Sequence, residues 1–157
     1  MKVQLIKVGK DQEKYITDGF ELYKKRITNY LPFEDIIIPV LKNTKNLSGD
    51  AFKQKEGELI LKYLKEDSFV ILMDEKGETY DSQGFAGFVQ GRMNSGVKVL
   101  TFVIGGAYGF SQSVYKKAHG MVSLSRMTFS HQIVRLIFME QLYRALTIIN
   151  NQPYHNA

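Results

Sequence analysis

The sequence contains no cysteine among its 157 residues. This absence excludes disulfide bonds, thiolate metal ligands and a cysteine nucleophile, and it agrees with a reducing compartment. No apolar run approaches the roughly 20 residues that a membrane-spanning helix needs. The first ten residues, MKVQLIKVGK, lack the apolar stretch and the small-residue cleavage site of a secretory signal. We therefore expect a cytoplasmic protein that does not enter a membrane.

Several common catalytic motifs are also missing. The stretch GGAYGFS has neither the lysine nor the glycine spacing of a P-loop, so a nucleoside triphosphatase is not expected. Its glycines follow a late strand with the spacing GGxxG, which fits poorly with the dinucleotide motif GxGxxG. No GxSxG elbow occurs. The three histidines, His119, His131 and His155, lack HxxxH spacing and a neighbouring carboxylate cluster, so no metal site is expected.

Acidic residues are scarce in the C-terminal half of the chain. Residues 1–81 carry fourteen basic and fifteen acidic side chains, whereas residues 82–157 carry seven basic side chains and a single acid, Glu140. Lysine and arginine near phosphates release counterions and steer association, so this half favours a polyanionic partner. Charge alone is equally compatible with a solvated basic face.

Strand and helix patterns alternate along the whole chain. Apolar alternation and short apolar runs predict strands at 2–8, 34–40, 68–74, 97–104 and 121–125. Helical spacing predicts helices near 16–30, 52–63, 82–93, 110–118 and 131–149. The three isoleucines of the second strand predict that it is buried, and EKGE after the third strand is predicted as a turn. The alternation, without linker or repeat, predicts one α/β domain, residues 1–157, with a mostly parallel sheet covered by helices.

The fourth predicted strand runs directly into Gly105, Gly106 and Gly109. Glycine gives up packing, so it indicates either an unusual backbone turn or the close approach of another group to the main chain. In open α/β sheets, ligands lie outside the carboxyl ends of the strands. Three such ends, ILMDEKG, IGGAYGFS and LSRMTFSH, are therefore the candidate site.

Four segments together resemble one protein family: VGK near the N-terminus, IGGAYG at 104–109, SLSRMTFSHQIVRLIFMEQLYRA at 123–145 and NNQPYH at 150–155. Over essentially its whole length the chain is similar to the SPOUT-class ribosomal large-subunit methyltransferases of the RlmH type. The resemblance implies a C-terminal trefoil knot and S-adenosyl-L-methionine as cofactor. It also implies methylation of N3 of a pseudouridine in 23S rRNA, either free or in the assembled ribosome.

The resemblance also assigns residues to the cofactor. They are Met73, which stands where the family has leucine, the strand-end Gly105, and the loop residues Leu124, Ser125, Arg126, Met127, Thr128 and Phe129. An adenine ring needs an apolar slot edged by main-chain donors and acceptors, which the apolar members of this set and the glycine backbone offer. Without the resemblance, the same apolar residues would be interpreted as core positions at strand ends.

Methyl transfer to an imide nitrogen mainly requires alignment of the acceptor and exclusion of water, but N3 of pseudouridine carries a proton. Positive charge or a base beside it should help. The candidates are Arg135 and Arg144 as stabilisers of an imide anion or phosphate, His131 or His155 as proton acceptors, and Tyr154 in the tail motif QPYH. The structural alternatives are that either arginine pairs with Glu140 or a helix end, and that the histidines are ordinary structural residues.

Apolar residues surround more of the last predicted helix than one core face requires; they are Ile133, Val134, Leu136, Ile137, Phe138, Leu142 and Ile148. A second apolar face predicts a homodimer, in which the tail of one subunit completes the site of the other. Two other classes remain open. A non-catalytic RNA-binding domain would explain the basic half, and a nucleotide-dependent oxidoreductase would explain the α/β pattern.

Overall fold

The computed structural model describes residues 1–156, so the last residue of the predicted domain, Ala157, lies outside the described residues. Strands and helices alternate strictly. The order is β1 (Lys2–Val8), α1 (Lys14–Ile27), β2 (Phe33–Ile38), α2 (Gly49–Tyr63), β3 (Ser68–Thr79), α3 (Ser82–Asn94), β4 (Val99–Ile104), α4 (Gln112–Lys117), β5 (Gly120–Ser123) and α5 (Ile133–Ile149). The predicted α/β class is confirmed.

The five strands form one parallel sheet with the order β2-β1-β4-β3-β5. Helices α1, α3 and α5 cover one face, where Phe20, Phe85 and Phe138 pack in the same apolar cluster as Phe102 of β4. Helices α2 and α4 cover the other face, with Ile60 and Val114 in a second cluster. Since all strands are parallel, their carboxyl ends meet at a single edge of the sheet.

Two predictions about the strands are wrong. The second strand, β2, is not buried, because it lies at the edge of the sheet: Ile38 is fully buried, but Ile37 remains 39% exposed. EKGE is not a turn, because β3 continues to Thr79 and pairs with β5 again beyond a register shift. A Cβ at Gly77 would lie 2.6 Å from the backbone nitrogen of Val122, so the continuation depends on glycine.

Helix α2 buries a different face from the one its apolar residues indicate. Its buried residues are Glu56, Gly57 and Ile60. Tyr63, one of the residues that predicted the helix, is exposed. A charged side chain and a glycine therefore occupy positions that an amphipathic pattern assigns to apolar residues.

No helix within residues 1–156 combines the length and the hydropathy needed to cross a membrane.

Candidate functional site

A cleft of about 480 Å³ opens at the carboxyl ends of β4 and β5, beside residues 73–76 of β3, where the pairing of β3 with β4 ends. The three segments that the sequence indicates meet there, although ILMDEKG lies within β3 and not at its end. The residues of the predicted cofactor set that line the cleft are Met73, Gly105, Leu124, Ser125, Met127, Thr128 and Phe129. Arg126 is exposed and is not among the lining residues. The volume lies within the roughly 300–1,000 Å³ that is typical of small-molecule sites.

The glycines after β4 serve both of the purposes expected of them. Gly109 has a φ of +78°, a conformation that residues with a side chain rarely adopt. A Cβ on Gly105 would lie 2.9 Å from Cε1 of Phe110, and a Cβ on Gly106 would lie 2.6 Å from Oε2 of Glu56. The groups that approach these two backbones are therefore side chains of the protein itself.

Serine side chains hold the loop between β5 and α5. The hydroxyl of Ser123 donates to the carbonyl of Ser125 at 2.9 Å, and the Ser125 hydroxyl accepts from the Met127 amide, also at 2.9 Å. The Ser130 hydroxyl accepts from the Ile133 amide at 3.1 Å, where α5 begins. Met127 remains 76% exposed, which leaves its flexible apolar side chain at the mouth of the cleft.

The cleft also contains polar residues that sequence analysis missed. Asp74 accepts hydrogen bonds from the Tyr115 hydroxyl at 2.5 Å and from the Lys76 amide at 2.8 Å. Burial, reinforced by the hydrogen bond to Asp74, raises the pKa of Tyr115 to about 12. Tyr115 therefore remains a donor near neutral pH. The position of Asp74 directly after the apolar run SFVILM was the available signal, since that run ends at the carboxyl edge of the sheet.

Arg135 is fully buried, at 0% exposure, and its guanidinium is used inside the fold. It donates to the carbonyls of Val8 at 2.6 Å, Gly9 at 2.9 Å and His131 at 3.0 Å, and to the carboxylate of Asp11 at 3.0 Å. These bonds use four of the five N–H donors of the guanidinium. Because the side chain is fully buried, it cannot contact rRNA. The placement argues against the predicted catalytic role. Arg135 has a structural role instead, although its partners are neither Glu140 nor the end of a helix, as the structural alternative predicts.

Lys7 joins Arg135 in a buried ion network. Its ammonium, also at 0% exposure, contacts Asp11 at 3.0 Å and Asp35 at 3.3 Å, and it lies 3.7 Å from the ring centroid of Phe20. Burial raises the pKa of Asp35, and the charge of Lys7 opposes that shift. The network of Lys7, Asp11, Asp35 and Arg135 ties the turn after β1 to the start of α5.

Three further residues of the predicted catalytic group lie close together beside Glu140; they are Arg144, Tyr154 and His155. Arg144 donates to the Glu140 carboxylate at 2.5 and 3.1 Å, the Tyr154 hydroxyl donates to it at 3.0 Å, and an Arg144 nitrogen lies 3.2 Å from Nδ1 of His155. The guanidinium carbon of Arg144 lies 4.7 Å from the centroid of the Tyr154 ring. We call Glu140, Arg144, Tyr154 and His155 the tail cluster.

The tail cluster and the cleft are separated along α5. His131 and Val134 line the cleft at the start of the helix, and Arg144 lies ten residues after Val134. At 1.5 Å per residue this is about 15 Å along the helix axis. None of the four residues of the tail cluster lines the cleft of its own chain. Across residues 1–156, no group of three or more His, Asp or Glu side chains is arranged to hold a metal ion.

The sequence profile of the family described as "Predicted SPOUT methyltransferase" matches residues 1–155. A protein of Parabacteroides distasonis named "Ribosomal RNA large subunit methyltransferase H" is 51% identical over 156 residues, which cover 99% of each chain. A protein of the same name from Flavobacterium johnsoniae is 54% identical over 156 residues, which again cover 99% of each chain.

Among solved structures, a probable methyltransferase from Bordetella pertussis Tohama I superposes with a TM-score of 0.54 at 13% identity, covering 92% of this chain and 95% of its own. At this identity the likeness concerns the fold alone.

Proposed function

This chain belongs to the SPOUT methyltransferase family, and from that membership we propose that it transfers a methyl group from S-adenosyl-L-methionine to N3 of a pseudouridine in 23S rRNA. The names of its relatives, which match it end to end at about half identity, support the ribosomal substrate. The observation that carries the proposal is the cleft: seven of the eight residues assigned to the cofactor by resemblance line one cavity, although they come from three separate segments.

The cleft is chemically suited to this cofactor. Met73, Leu124 and Phe129 offer apolar walls for an adenine ring, while the backbone at Gly105 offers polar groups without an intervening side chain. Asp74 places a carboxylate at the same site, where it can balance cationic groups of a ligand. When bound, S-adenosyl-L-methionine supplies an activated methyl group. The apolar walls would keep water from it.

The tail cluster is suited to the target base. A guanidinium near an imide stabilises its anion, and Glu140 restrains Arg144 in one orientation. Because Nδ1 of His155 faces an arginine donor, a neutral ring carries its proton on Nε2. In that tautomer His155 donates a hydrogen bond outward, which suits an anion or a phosphate better than it suits proton removal.

We further propose that the tail cluster works on the cleft of a partner subunit. About 15 Å of helix separates the two in one chain, and both are needed for the reaction. A twofold homodimer with α5 near the axis would bring the tail of one subunit to the cleft of the other. As the family resemblance implies, we also propose a single domain with a C-terminal trefoil knot that acts in the cytoplasm.

Methyl transfer is tested with S-adenosyl-L-methionine labelled in its methyl group and with free 23S rRNA, large subunits or whole ribosomes that lack the modification. We expect label in RNA, and mass spectrometry of the digested nucleosides should find it at N3 of pseudouridine. Calorimetry with S-adenosyl-L-methionine and with NAD gives the control. Binding of NAD alone would favour an oxidoreductase, and RNA binding without either cofactor would favour a non-catalytic RNA-binding domain.

Arg144→Gln should lower kcat/KM for methyl transfer about tenfold or more, because it removes a cation from the RNA-facing cluster. Cofactor affinity, measured by calorimetry, should stay near that of the wild-type protein. The dependence of RNA binding on salt should also weaken, by roughly one unit of log–log slope.

Lys98→Gln is the matched control for this variant. Lys98 is an exposed basic residue of the same acid-poor half, but it lies before β4, at the opposite edge of the sheet from the cleft. Methyl transfer by this variant should be unchanged. If Arg144→Gln weakened cofactor binding as much as methyl transfer, Arg144 would belong to the cofactor site instead.

A further inference from the structure

The loop that follows β4 contacts helix α2 at several points. At one end, the rings of Phe52 and Tyr108 pack with their centroids 4.9 Å apart. At the other, a Cβ on Gly57 would lie 2.3 Å from the hydroxyl oxygen of Ser111. Between these two contacts lies Glu56. One face of α2 thus packs against the loop after β4, whose backbone lines the cleft.

Glu56 is 3% exposed, which is unusual for a carboxylate. Its Oε1 accepts a hydrogen bond from the Gly106 amide at 3.1 Å. No lysine or arginine within the described residues forms an ion pair with it; Lys53, one turn earlier, faces Asp50 at 3.9 Å. Burial raises the pKa of Glu56, and the Gly106 hydrogen bond opposes the shift. Burial of an unpaired carboxylate is costly, so its retention here calls for a specific use.

The contact with Gly106 is steric as well as polar. Gly106 lines the cleft beside Gly105, and its φ lies outside the positive range, so its backbone conformation is open to any residue. A Cβ at this position would nevertheless lie 2.6 Å from Oε2 of Glu56 and 3.0 Å from Oε1. The absence of a side chain lets the carboxylate reach the main chain. Glycine and glutamate therefore act here as one unit.

We propose that Glu56 is a positioning residue for the cofactor cleft: its carboxylate holds the Gly106 amide and thereby fixes the neighbouring Gly105 backbone in the orientation that receives the cofactor. The identity of that ligand rests on the proposed function. The link between Glu56 and the Gly106 amide does not, because it can be measured without any ligand.

Glu56→Ala should raise the dissociation constant for S-adenosyl-L-methionine about 10- to 100-fold, the range expected for loss of a buried hydrogen bond to a charged group. Hydrogen exchange of the Gly106 amide should accelerate in the ligand-free protein. Glu56→Gln retains an acceptor oxygen and should restore most of the affinity. The KM for RNA should not change. Glu58→Ala is the matched control, because it removes the same charge from the exposed side of the same helix.

A double-mutant cycle with Gly106→Ala adds an independent test that does not rely on Glu56→Ala alone. In the wild-type background the added methyl group should displace the carboxylate and weaken cofactor binding about tenfold. In the Glu56→Ala background it should have little further effect. This non-additivity is not expected if the two residues act separately.

Four results would overturn the proposal. If the Gly106 amide exchanged its hydrogen at the same rate in Glu56→Ala as in Glu58→Ala, Glu56 would not hold that amide. If exchange were faster in Glu56→Ala but cofactor affinity were unchanged, Glu56 would not be a positioning residue. Equal losses in Glu56→Gln and Glu56→Ala would show that charge, and not the accepted hydrogen bond, is required. Wild-type affinity in Gly106→Ala would contradict the steric part. If the wild-type protein failed to bind the cofactor while Gly106 exchange still responded to Glu56, the proposed function and the cofactor role would fall, and the link itself would stand.

Discussion

Arg135→Met is expected to destabilise the fold by about 3–5 kcal/mol, the usual cost of removing one partner of a buried ion pair. The variant would leave Asp11 without its arginine and the carbonyls of Val8 and Gly9 without their donor. Domains of this size are stable by only about 5–15 kcal/mol, so the midpoint of urea unfolding should fall far below that of the wild-type protein. Circular dichroism during urea titration measures the change.

Two variants serve as controls for this experiment. Arg135→Lys keeps the charge but lacks the planar fork, so its stability should be intermediate. Arg126→Met removes an exposed arginine and should change stability by no more than about 0.5 kcal/mol. If Arg135→Met unfolded like the wild-type protein yet lost methyl transfer, the sequence-based prediction of a catalytic arginine would be restored.

Mixing two inactive variants should restore part of the activity if the site is shared between subunits. Gly105→Val should abolish cofactor binding, because the valine side chain would occupy the cofactor cleft and would collide with the Phe110 ring. His155→Ala should remove the hydrogen-bond donor that the tail supplies. After free exchange of subunits at equal concentration, half of the dimers would contain one chain of each kind. Each mixed dimer would have one intact site out of two, so about a quarter of the wild-type activity should return.

The exchange itself is verified by native mass spectrometry of differently tagged chains, and a Gly105→Val/His155→Ala chain mixed with Gly105→Val is the negative control. No recovery in verified mixed dimers would place the tail in the site of its own subunit. A monomer at assay concentration would refute the shared site directly. Loss of folding in Gly105→Val is checked by circular dichroism, and Gly105→Ala, with a smaller group against the Phe110 ring, then replaces it.

The spacing of apolar residues predicts the strands and helices well, because that spacing depends only on residues that are neighbours in the sequence. The strand 2–8 was predicted with the bounds that β1 has, and the predicted last helix, 131–149, begins two residues before α5 and ends with it. The order of the strands is not encoded locally. For that reason the isoleucine-rich β2 appeared central, although its neighbours in space place it at the edge of the sheet.

Only the part of the site that lies next to the strands in the sequence could be predicted. The glycine turn and the loop at 124–129 were found because they follow strands directly. The role of Arg135 could not be found, because its partners Val8 and Gly9 are 127 and 126 residues away in the chain. Glu56 was missed because a charged residue on a helix is ordinarily exposed, and only its burial against Gly106 distinguishes it from Glu58.

The position of β4 between β1 and β3 determines when the sheet can assemble. β1 and β4 are held together by residues as distant as Gln4 and Thr101, whose side chains share a buried hydrogen bond 97 residues apart in sequence. Before β4 leaves the ribosome, β1 can pair only with β2, and β3 has no neighbour at all. Such a topology has high contact order and folds slowly, with open strand edges that invite aggregation. A nascent chain of this protein is therefore expected to expose unpaired strand edges until β4 has left the ribosome, and the sheet then closes in a late step around its fourth strand.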